Sequence, residues 1–158
     1  MRKIELLFSR PRRFFVPFSW IIRLYQWTEY SHCSISFYCE VTRLHMIAEA
    51  SHGEVHLMER SQWEAENIIV RSKKYDISHQ QFKVFMTYTF MHLQKPYAAF
   101  QNVGVLFYEA FHVKLFSKGE DDFNCSEFVR RAVPWIFPPS KKPIDFIKPK
   151  GIYKMIFG

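Results

Sequence analysis

Residues 30–50, YSHCSISFYCEVTRLHMIAEA, decide the fold. Two runs rich in β-branched and aromatic residues, SISFYC (34–39) and RLHMIAEA (43–50), flank Glu40, Val41 and Thr42. The pattern predicts a β-hairpin, although no glycine marks its turn. With Glu40 and Val41 at the tip, residue 39 pairs with 42 and His32 pairs with Glu49, side chains on one face. A slip of one residue would put Ala50 opposite His32 and turn Glu49 to the other face. Downstream, GEVHLM (53–58) and NIIVRS (67–72) read as two more strands, separated by the short helical stretch ERSQWEAE (59–66). Upstream, KIELLF (3–8) reads as a first strand ending at the Pro/Arg turn of 10–13. PFSWIIRLYQW (17–27) reads as a helix, with Pro17 in its first turn and Trp20, Ile21, Leu24 and Trp27 near helical spacing.

Beyond residue 77 the period changes. Ser78 and Gln81 match a capping box, and Phe82, Phe85, Met86, Thr89, Phe90 and Leu93 share one stripe, which predicts a helix over 78–94 closed by Lys95-Pro96. A second helix is expected in AFQNVGVLFYEAFHV (99–113), then a polar loop SKGEDD (117–122) and a third helix in NCSEFVRRAVPWIF (124–137), which Pro134 should kink or close. The proline-rich tail from residue 138 reads as an extended strap. Sheet first and helices after predict one α+β domain over 1–158, an antiparallel sheet packed against helices.

Composition agrees with a single domain. The 158 residues are 48% apolar and 18% aromatic, which excludes intrinsic disorder as the main state. Arg23 and Glu29 interrupt the richest apolar run, so no stretch reads as a membrane span, and MRKIELLFSRPRR is a poor secretory signal. The expectation is a cytoplasmic protein, and a compact, basic chain of this kind also fits a phage or virus. Of the net charge of +7, the ends hold most: residues 1–13 carry five Lys/Arg against Glu5, and residues 140–158 five Lys against Asp145. Such ends suit an anionic surface, a membrane or a polyanion, or serve as solvated tails. No sequence-specific nucleic-acid module accompanies them. Three cysteines at spacings that match neither a zinc pair nor CxxC read as reduced thiols, Cys33 and Cys39 falling in strands that should bury them, and the scattered histidines suggest no metal.

Cys125 is the most informative residue. It falls in the first turn of the helix begun by FNCSEFVRR (123–131), where Asn124 can cap and Glu127 completes an Asn-x-x-Glu capping box. A cysteine there feels the positive end of the helix dipole, which favours thiolate, and the first backbone N–H groups can hold an oxyanion. The base expected for such a nucleophile is His32 at the start of its strand, oriented by Glu49 or by His52.

These residues resemble NlpC-type papain-like cysteine hydrolases. In that family an aromatic "PY" segment, a "DCS" opening an apolar helix, a histidine strand of the type "SHVGI" and a following strand with a third polar residue make up the site. KPYAAF (95–100), FNCSEFV (123–129), YSHCSI (30–35) and IAEA (47–50) look like these four elements, and DFIKPKGIYK (145–154) looks like the strap that follows the helix. The histidine strand precedes the cysteine helix, which is the order of the circularly permuted branch. Three positions depart from the pattern: Asn124 stands for the usual Asp, Glu127 for Gly, and Cys33 for a small apolar residue, where it reads as core.

The resemblance implies a papain-like fold of the permuted NlpC type that needs no cofactor. Cys125 would be the nucleophile, His32 the base, Glu49 or alternatively His52 the orienter, with Tyr97 and Ser126 near the substrate or oxyanion. It implies hydrolysis of an amide bond in a peptide or peptide-like substrate, such as a cell-wall stem peptide. The alternatives are a lipid-directed acyltransferase or thioesterase of the same fold, and a non-catalytic binding or adaptor module that uses the basic ends.

Overall fold

A computed structural model describes residues 1–13, 17–51, 54–93, 124–139 and 147–158, with backbone alone at 17 and 18. The expected helix over 99–113, the loop 117–122, Tyr97 and His52 lie outside the described residues. The protein is α+β. Strands β1 (Arg2–Pro11), β2 (His32–Cys39), β3 (Leu44–Ser51), β4 (Glu54–Glu59) and β5 (Asn67–Ile77) form one sheet in the order β4-β3-β2-β1-β5, every neighbouring pair antiparallel. Helices α1 (Pro17–Gln26), α2 (Arg60–Glu66), α3 (His79–Met91), α4 (Cys125–Ala132) and α5 (Pro149–Phe157) surround it. Among the described residues no helix is long and apolar enough to cross a membrane.

The first strand lies between β2 and β5, and its sequence suits that place. Side chains alternate across a strand, so Ile4, Leu6 and Phe8 face one side while Glu5, Leu7 and Ser9 face the other. The first side is the main core, where Phe85 of α3, Phe128, Val129 and Ala132 of α4 and Ile152 and Ile156 of α5 meet Cys33, Ile35 and Phe37 of β2. The second side holds a smaller cluster, Leu7, Ile47 and Trp63 of α2. Removing a fully buried ring such as Phe128 would cost about 3–5 kcal/mol in lost transfer energy and cavity.

Four sequence expectations are corrected. The β2–β3 hairpin pairs Ile35 with Ala48 and Cys39 with Leu44, two residues from the expected register. Its loop is the four residues 40–43, and it closes with Arg43 in the left-handed region at φ 58° in place of a glycine. A shift of two preserves the face of every side chain, so Glu49 stays on the side of His32. The end of the tail is the helix α5, because Pro149 sits in its first turn, where a missing N–H costs nothing. In α3 the Ser78–Gln81 capping box forms in both directions, yet Phe90 is 57% exposed and lies off the buried stripe of Phe85 and Thr89. Cys39, at the end of β2, is half-exposed, whereas its strand position had suggested burial. Pro134 closes α4 by opening the 3-10 turn Pro134–Ile136.

Candidate active site

The site begins with the cap of α4. Asn124 Oδ1 accepts the Glu127 N–H at 2.8 Å and the Asn124 carbonyl accepts the Phe128 N–H at 2.9 Å. The helix therefore starts at Cys125, and the N–H groups of Cys125 and Ser126 are the ones that helical geometry leaves without intrahelical partners. Glu127 does not return to the cap as a full capping box requires. Its Oε1 takes Arg131 Nη2 at 2.9 Å, an i,i+4 pair that joins a buried carboxylate to an exposed guanidinium.

His32 opens β2, and Ser31 just before it is fixed by a backbone bond to Ser9 and by a Ser19–Ser31 hydroxyl bond of 2.8 Å. Its Nε2 lies 2.8 Å from Glu49 Oε2. Continued to the strand end, the observed register sets His32 opposite Ser51, so the imidazole meets Glu49 diagonally. The Cys125 sulfur is the ring's other partner in setting its charge, and it raises the His32 pKa. Nε2 is engaged by Glu49, which leaves Nδ1 as the ring nitrogen open to a second partner.

Glu49 is 2% exposed and both its oxygens are occupied. Oε2 accepts from His32 and from the Trp63 indole N–H at 2.8 Å; Oε1 accepts the Ser51 hydroxyl at 2.5 Å and lies 3.4 Å from His56 Nε2. Burial would raise its pKa, but the facing His32 charge and the hydrogen bonds from His32, His56 and Ser51 hold it well below the carboxylate range. Burial likewise opposes a charge on His32, and the Glu49 carboxylate and the Cys125 sulfur outweigh it, so His32 sits well above its ordinary value. His56 is raised by its bond to Glu49.

Cys125 is 5% exposed and its pKa falls well below that of a free thiol. The Cys33 thiol hydrogen bond is the main cause; burial opposes it, and the His32 charge and hydrogen bond reinforce it. Cys33 is fully buried, and burial together with the neighbouring Cys125 sulfur pushes it well up, so it remains a protonated donor. Its sulfur is also 3.7 Å from Ser126 Oγ. A charged sulfur is a stronger acceptor than a hydroxyl, so the Cys33 proton favours a charged Cys125. Both shifts run in one direction, favouring a Cys125 thiolate beside a His32 imidazolium over the neutral pair.

Cys125, His32 and Glu49 thus come together as the sequence suggested. Ser126 is beside them, but its hydroxyl is buried against Cys33, which leaves its backbone N–H as the group that can meet an oxyanion. Tyr97 and His52 lie outside the described residues. Sequence reasoning missed Trp63 and His56. His56 pairs directly with Glu49 across β3 and β4, a relationship visible only once that register is known, whereas the buried indole N–H of Trp63 had no sequence signal. Among the described residues no group of three or more His, Cys, Asp or Glu is arranged to hold a metal ion. The wide cleft at the far end of β1 and β2, lined by Arg2, Glu5, Tyr38 and Arg60, contains none of the reactive groups. No protein-family model matches the sequence, and no curated protein does.

Proposed function

We propose that the chain is a cysteine hydrolase of the circularly permuted NlpC-type, papain-like class, cleaving an amide bond in a peptide or peptide-like substrate. One observation carries the reading: the imidazole of His32 joins the Cys125 sulfur at a capped helix start to a buried carboxylate, Glu49, 2.8 Å from Nε2. The order of elements, histidine strand before cysteine helix, supports it as well.

The Cys125 thiolate attacks the carbonyl carbon and forms a C–S bond, while the oxyanion is met by the N–H groups of Cys125 and Ser126. The His32 imidazolium gives its proton to the leaving nitrogen as the C–N bond breaks. Neutral His32 then takes a proton from water, whose oxygen attacks the acyl carbon. The C–S bond breaks, the acid leaves and the thiolate–imidazolium pair returns. Glu49 holds the ring in the tautomer and orientation that both steps need.

The test is to incubate the protein with p-nitrophenyl acetate and a panel of peptide anilides, quench in acid and map the mass. The reading requires acyl transfer to Cys125 and amine release, both absent in Cys125→Ala. Acylation elsewhere, or none, contradicts it.

A further inference from the structure

Helix α1 is built inside out. Its most buried described residues are polar: Ser19, 6% exposed, bonds Ser31, and Gln26, 5% exposed, accepts the Lys150 backbone N–H at 3.0 Å, with Ile22 half-buried beside them. Its outward residues are apolar. Ile21 is 47% exposed, Leu24 67% and Tyr25 39%, and these lie at i, i+3 and i+4 on one stripe. A helix stabilised by the protein core alone has the opposite arrangement.

Trp27 is a second, independent sign. It follows α1 in the left-handed region at φ 51°. The Trp27 N–H reaches the Leu24 carbonyl at 3.3 Å and the Thr28 N–H reaches that of Arg23 at 3.1 Å, which is a Schellman motif. Glycine suits that position and any L side chain is strained there. The indole is 89% exposed, so it serves neither the backbone nor the core.

Charge surrounds this face. Arg10 and Arg23 border a hollow with Trp20, Leu24, Trp27 and Glu29. The Nε atoms of both arginines are buried and have no hydrogen-bond partner among the described residues. Arg23 lies over the Trp20 ring at 4.6 Å, and Lys148 Nζ over Tyr25 at 4.4 Å.

We propose that this face seats the protein on an anionic lipid bilayer, with Leu24 and Trp27 entering the interface and Arg10 and Arg23 meeting lipid phosphates. Tryptophan and arginine suit that boundary, since each joins an apolar or planar body to a polar tip. An exposed apolar stripe beside arginines is the pattern of a helix lying in the interface plane. The Ser19–Ser31 bond ties the inward side of α1 to the residue before His32. The inference stands independently of the hydrolase reading.

The test is vesicle co-sedimentation of the full chain, with vesicles of phosphatidylcholine alone and with about 30 mol % phosphatidylserine added. Binding is expected to the anionic vesicles and to weaken as salt rises. Trp27→Gly should lower it about tenfold or more, through loss of one buried aromatic side chain. Its melting temperature should be unchanged or higher, because glycine relieves the left-handed residue. Arg10→Gln with Arg23→Gln should weaken binding and flatten its salt dependence. Failure of the unaltered chain to bind either vesicle overturns the proposal, as does undiminished binding by both variants. A concentration-dependent dimer abolished by Trp27→Gly, without vesicle binding, would assign the face to a second copy.

Discussion

His32 Nε2 lies 2.8 Å from Glu49 Oε2, and the two residues reach each other diagonally across neighbouring strands. The carboxylate is held on its other sides by Trp63, Ser51 and His56, so it cannot rotate away from the imidazole without breaking several bonds. A carboxylate so held orients the ring through Nε2 and stabilises a charge on it.

Glu49→Gln should lower the His32 pKa by about one unit or more, because the amide keeps a hydrogen bond but removes the charge. The titration is read by NMR on a Cys125→Ala background, since thiolate and imidazolium titrate together. His56→Gln, acting only through the more distant Oε1, should shift it less. An unchanged His32 in Glu49→Gln would remove Glu49 from its role.

Cys33 lowers the Cys125 pKa, and the two obvious substitutions should separate. Cys33→Ala deletes the donor to the Cys125 sulfur and should raise the Cys125 pKa by about one unit. Cys33→Ser keeps a donor and should raise it less. Thiolate absorbance against pH gives both values, and identical titrations in all three proteins would show that Cys33 only fills space.

The ion pair also sets a pH window for stability. Glu49 is depressed, so its contribution is complete above its ordinary 4.5 and is lost as pH falls through the lower folded value. His32 is raised, so its contribution is complete below its ordinary 6.5 and is lost as pH rises through the higher folded value. On a Cys125→Ala background, Glu49→Gln should therefore destabilise most between about 4.5 and 6.5, by about 1–3 kcal/mol. Denaturant unfolding across pH measures it; a penalty that is flat with pH would mean that hydrogen bonding alone, not charge, joins the pair.

Much of this was legible in the sequence because alternation and capping are local signals. The five strands, the Ser78 cap and the Asn124 cap in front of Cys125 all follow from residues within a few positions of one another. Register is less local. The turn at residues 40–43 closes through Arg43 with a positive φ, which a search for glycine passes over, and the pairing moved by two. Because that number is even, Glu49 kept its face. His56 and Trp63 were hidden for the same reason: one needs the β3–β4 register and the other the docking of α2, and neither is written in residue spacing. The proline count of the tail argued against helix, but a proline in the first turn starts one.

Cys125 is expected to rest as a thiolate paired with His32, and the rate of its alkylation against pH reports that state. Iodoacetamide is used on a Cys39→Ser protein, since Cys39 is half-exposed and hydrogen bonds from Thr42 lower its own pKa. Labelling of Cys125 should reach half its plateau well below the 9.0 of an ordinary thiol, and His32→Gln should move that midpoint back up toward it. A midpoint near 9.0 in the parent protein, unmoved by His32→Gln, would contradict the account.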